Sequence, residues 1–108
     1  MPALQGLITA MVTPFRTDGA VNEDGAVALG RHLLAHGSDG LVVCGTTGES
    51  PTLSDDEMVS LVSVMVDELG DEALIAAGAG SNSTHHACEL AERMAATGAH
   101  ALLSVTGY

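Results

Sequence analysis

The chain has 108 residues and a formal net charge of −11, with Arg16, Arg31 and Arg93 as its basic side chains and no lysine at all. No basic patch offsets that charge, so nucleic acid and anionic membrane are excluded as partners, and any chemistry that draws an amine nucleophile from these residues is excluded with them. No stretch approaches the ~20 apolar residues of a membrane span, and no basic residue opens the chain as in a secretion signal, so a cytoplasmic protein is expected, with Cys44 and Cys88 as reduced thiols.

Strands and helices alternate along the chain. Residues 7–12 are an apolar run without strict polar alternation, the pattern of a parallel strand covered on both faces. A helix is expected over 22–36, capped by Asn22, with Glu23 and Asp24 at the positive end of its dipole and Gly37 ending it. A second apolar run covers 40–44. The next helix carries the clearest signal: Ser54-Asp55-Asp56-Glu57 is a capping box, Met58, Leu61, Val62, Met65 and Leu69 recur on one face, and Gly70 is expected to stop it. A third strand is read at 74–77. The third helix starts near Ser83, aligns Ala87, Leu90, Ala91 and Met94, and ends at Gly98 before a fourth strand at 101–105.

Four strands joined by three helices imply βαβ crossovers and a parallel sheet. The order of elements fits a small open doubly wound sheet or part of a closed barrel, and the repeat alone leaves both open. A (β/α)8 barrel takes about 250 residues. The chain ends directly after its fourth strand, with no element to shield it, so a fragment is expected, an incomplete barrel domain over residues 1–108.

In such folds the loops after the carboxyl ends of the strands carry the chemistry. The turn Gly45-Thr46-Thr47-Gly48-Glu49-Ser50 offers backbone amides beside glycine and two hydroxyls, a setting for a small carboxylate or for passing a proton; the plainer reading is that the threonines satisfy the turn's own backbone. Gly78-Ala79-Gly80-Ser81-Asn82 lacks the spacing of a dinucleotide or phosphate loop and reads as a strand-to-helix connection. His32 and His36 lie one helical turn apart, in reach of a shared metal, but no third ligand stands beside them; they and His85 and His86 are expected to be solvated. Met58, Met65 and Met94 are expected in the core, and Asp55, Asp56 and Glu57 as a capping cluster. Tyr108 is either a proton relay or simply the last residue. No cofactor and no metal are expected.

Gly6 to Phe15, Gly45 to Leu53, Ala77 to Asn82 and Ser104 to Tyr108 resemble, in order and spacing, the amino-terminal third of the dihydrodipicolinate synthase family, in the class I aldolase superfamily that includes N-acetylneuraminate lyase. The resemblance spans nearly the whole chain. It implies the amino-terminal part of a (β/α)8 barrel, usually assembled as a homotetramer of tight dimers. The implied reaction joins pyruvate, held as a Schiff base on a lysine of a later strand, to aspartate semialdehyde in lysine biosynthesis. Thr46 would then be the relay hydroxyl, Thr47 would hold the pyruvate carboxylate with amides of Gly45 and Gly48, and Tyr108 would match the first tyrosine of the family's Thr-Pro-Tyr-Tyr-Asn segment. Gly107 stands where that segment has proline, which loosens the backbone beside Tyr108.

The resemblance also bears on inhibition by lysine. Asn82 and Tyr108 match the family's regulatory positions, but His86 replaces a glutamate and Asp55 and Met58 replace histidines, which implies weak or absent inhibition. With the Schiff-base lysine missing, the chain is expected to be inactive alone. Two other readings stand beside this one: a noncatalytic half-barrel-like module that pairs through its strand edges, and another pyruvate-dependent aldolase of the same superfamily.

Overall fold

A computed structural model of the chain describes residues 6–44, 53–79 and 84–103. The elements alternate as the sequence leads one to expect: β1 (Ile8–Ala10), α1 (Glu23–Ala35), β2 (Gly40–Val43), α2 (Asp55–Leu69), β3 (Leu74–Gly78), α3 (Thr84–Ala96) and β4 (Ala101–Leu103). All neighbouring strands pair in parallel, in the spatial order β1-β2-β3-β4. That order settles what the repeat left open. A doubly wound sheet reverses direction at a switch point, whereas here each strand is laid beside the one before it, as in a barrel.

Alternation along the strands divides the sheet into two faces. Leu41 and Val43 of β2, with Ile75 and Ala77 of β3, join one buried cluster with Leu61, Val62, Met65 and Leu69 of α2 and Leu90 and Met94 of α3. Met58, Met65 and Met94 are all buried, as their spacing requires. Each large apolar side chain in this layer contributes about 1.5–3 kcal/mol by leaving water. The other face mixes Ile8, Val42 and Leu74 with Ala10, Gly40 and Ala76. At Gly40 an added Cβ would lie 2.8 Å from the Leu74 carbonyl oxygen and 2.9 Å from Ile8 Cδ1, so only glycine lets β1, β2 and β3 close up there.

The caps follow the sequence. Asn22 accepts the Gly25 N–H, and Ser54 and Glu57 form the reciprocal capping box. Gly37 and Gly98 turn the chain at φ +114° and +89°, a conformation that favours glycine. Gly70 ends α2 as expected, as its C-cap. It lies in the right-handed region, at φ −63° and ψ −25°, with its N–H on Val66 O. The chain leaves α2 through a tight turn in which Glu72 N and Ala73 N both donate to Leu69 O.

β1 is shorter than its apolar run. β1 stops at Ala10, after which only Met11 N continues towards β2, bonding Val42 O at 3.0 Å. The chain then enters a small hairpin-like turn closed by the Phe15–Val21 bridge. Residues 104 and 105, expected in β4, lie outside the described residues.

Candidate functional site

Because the four strands run in parallel, their carboxyl ends share one rim. Met11 to Val42 and Ala79 to Leu103, the latter 2.9 Å from N to O, fasten neighbouring strands there. Thr13 is a buried polar residue beside the end of β1, and Asn22 N donates to Pro14 O at 2.9 Å, tying the first loop to the start of α1.

Cys44 closes β2 with a buried side chain and φ of +62°, an uncommon backbone for a residue with a side chain. Burial pushes its thiol up to about 12, so at neutral pH it is a protonated, inert group. Its Sγ points at Met58 O, 3.8 Å away on the first turn of α2. The contact joins the end of β2 to the first turn of α2. Nothing in the sequence marked Cys44 for this role, since a left-handed residue of this type has no local signature.

The amino end of α2 faces its own electrostatic constraint. A helix start favours an anion, but Asp55, Asp56 and Glu57 occupy this first turn and Ser54 already serves the Glu57 N–H. A substrate carboxylate would meet three negative charges there, which disfavours that end of the helix as its binding place.

Gly45, Thr46, Thr47, Gly48, Asn82 and Tyr108 lie outside the described residues. His86 is described, and it is not a solvated helix histidine. Its Nε2 stands 2.7 Å from the Asp55 carboxylate, joining α3 to the start of α2. Arg93 makes a second link, 2.7 Å to Asp56. The acids read as a capping cluster therefore also hold the next helix. No local pattern announces the His86–Asp55 pair, because its partners are 31 positions apart and only the packing of α2 on α3 brings them together. His85, by contrast, stays exposed and pairs with Glu89 on its own helix.

The model of the dihydrodipicolinate synthetase family matches residues 3–108. The chain belongs to that family. It is 54% identical over 102 residues to the 4-hydroxy-tetrahydrodipicolinate synthase of Acidothermus cellulolyticus, covering 94% of this chain and 33% of the relative. The synthase of Mycolicibacterium paratuberculosis is 52% identical over 108 residues, covering 99% of this chain and 36% of the relative. Among solved structures, dihydrodipicolinate synthase from Aquifex aeolicus superposes with a TM-score of 0.92 at 36% identity, covering 97% of this chain and 36% of that one. The chloride-inhibited synthase from Acinetobacter baumannii, complexed with pyruvate, gives 0.93 at 37% identity, covering 98% and 36%. The chain thus spans about a third of the length of the curated relatives it matches, and its four strands and three helices are the amino-terminal part of the family's (β/α)8 barrel.

Proposed function

We propose that this chain is the carboxylate-binding third of a 4-hydroxy-tetrahydrodipicolinate synthase, an incomplete barrel domain over residues 1–108. The whole enzyme condenses pyruvate with aspartate semialdehyde through a lysine Schiff base, in the cytoplasm, as a homotetramer of tight dimers. What carries this reading is sequence identity to curated synthases of about a half, sustained along the chain. Within it, Thr47 and amides of Gly45 and Gly48 hold the pyruvate carboxylate, and Thr46 and Tyr108 pass protons. These residues follow directly on Cys44, the buried end of β2.

The chain has no lysine, so it forms no Schiff base and is inactive alone. Borohydride reduction in the presence of pyruvate, followed by mass spectrometry, is expected to leave its mass unchanged; a pyruvate adduct on this chain would overturn the assignment. In a polypeptide carrying the remaining two thirds of the barrel, Thr47→Val is expected to raise the KM for pyruvate by about tenfold to a hundredfold, the worth of one hydrogen bond to a charged group. An unchanged KM would remove Thr47 from the carboxylate site.

Regulation by lysine is expected to be weak or absent in that enzyme. His86 and Asp55 stand at two positions of the family's inhibitory site, and each is engaged by the other at 2.7 Å. No free carboxylate is then presented to an incoming ammonium by this pair. An inhibition constant for lysine in the low micromolar range would refute this.

A further inference from the structure

We infer that His32 and His36 form a two-histidine surface site for a divalent transition-metal ion at the carboxyl end of α1. Three separate observations lead there. The imidazoles come from positions one helical turn apart, both residues are exposed, and the rings already lie together, with centroids 4.2 Å apart and planes inclined by 30°.

The tautomer is the second observation. His36 Nδ1 lies 2.7 Å from the backbone oxygen of His32. A carbonyl only accepts, so Nδ1 carries the hydrogen and the neutral ring has its lone pair on Nε2. Donation of one ring N–H to a carbonyl is the arrangement that orients metal-bound histidines and raises their basicity.

The third is charge. His32 lies in the last turn of α1 and His36 is its C-cap, where the helix dipole is negative and stabilises a cation. The chain around it carries −11, which raises the local concentration of cations. Imidazole nitrogen selects copper, nickel and zinc over the hard ions magnesium and calcium, with Cu2+ the tightest of the series. Among the described residues no group of three ligands gathers, so water completes the coordination of the ion and the site is one of modest affinity, open to solvent.

The test uses the untagged chain at neutral pH, titrated with Ni2+ while the five histidine rings are followed by NMR. The ring signals of His32 and His36 are expected to broaden together and first, and Mg2+ at the same concentration to leave them unchanged. His32→Gln and His36→Gln are each expected to lower Ni2+ affinity by about tenfold or more, and His85→Gln to leave it as it was. Acidification is expected to release the ion, because protons compete for the same lone pairs. The inference fails if both glutamine variants bind as the wild type does, if His85 or His86 responds first, or if all five rings broaden alike. The ring signals are read on the unmutated chain, so the outcome does not depend on how any variant folds.

Discussion

At the scale of single residues, burial decides the chemistry of the two thiols. Cys44 is 1% exposed and its pKa is raised to about 12, whereas Cys88 is exposed. A disulfide-exchange reagent at pH 8 is expected to modify one thiol of the native chain and two after denaturation; rapid modification of both in the native state would contradict the packing. The sign of the pH effect follows. Below pH 9 Cys44 is protonated in folded and unfolded chains alike, so it contributes no pH dependence. Between about 9 and 12 the unfolded thiol ionises while the folded one keeps its proton, and stability falls as pH rises, by up to about 1.4 kcal/mol per pH unit.

His100 carries a second residue-scale prediction. Its Nδ1 accepts the Ile75 N–H at 2.9 Å, and its own backbone N–H donates to Ile75 O at 2.9 Å, so a side chain supplies one rung of the ladder between β3 and β4. His100→Leu leaves the Ile75 N–H without an acceptor and is expected to cost about 1–3 kcal/mol in chemical denaturation. His100→Asn, whose side-chain oxygen reaches the same place, is expected to recover most of the loss. Equal stability of the two variants would show that the bond contributes nothing.

At the scale of elements, α2 is the piece that the others hold. α1 reaches it through Ser60 to Glu23 at 2.6 Å and Arg31 to Glu68 at 3.3 Å, and α3 through His86 to Asp55 and Arg93 to Asp56. These pairs are largely solvent-exposed on at least one side, so each adds at most about 1 kcal/mol and serves chiefly to set how the helices align. The stronger stabilisation comes from the apolar layer beneath. Met65→Ala is expected to cost about 2–5 kcal/mol, because Met65 is fully buried against α1 and the sheet. Ser54→Ala is expected to cost about 1 kcal/mol, through the lost capping box. Denaturant melts of the two variants should rank in that order.

What could be read from the sequence at this scale was whatever is local: the caps at Asn22 and Ser54, the apolar stripe of α2, and the glycines at 37 and 98. What escaped was set by distance along the chain. The pairing of His86 with Asp55, the role of His100 and the order of the strands all join residues that become neighbours only after the helices pack on the sheet. The candidate turn with two hydroxyls at Thr46 and Thr47 lies outside the described residues, so what the sequence made legible here is the fold and the family.

At the scale of the molecule, the sheet is well covered at its centre and thinly at its sides. β2 and β3 are nearly all buried, while Leu7, Val12, Phe15, Leu102 and Leu103 are exposed along or beside the outer strands. Apolar outer strands attract further strands, and a charge of −11 opposes the approach of a second copy. Added salt shortens the range of that repulsion to about 3 Å at 1 M. Sedimentation at rising salt is therefore expected to show increasing self-association, and Leu103→Lys to reduce it; a monomer at all salt concentrations would count against the outer strands as contact surfaces.

The spatial order of the strands has a consequence for how the molecule comes apart. Every strand lies beside its successor in the chain and, among the described residues, β1 does not pair with β4, so opening can start at either flank and travel inwards like a zip. Deuterium should accordingly enter the amides of β1 and β4 early and those of β3 last, so that the order of labelling across the sheet retraces the order of the chain from both sides towards its centre.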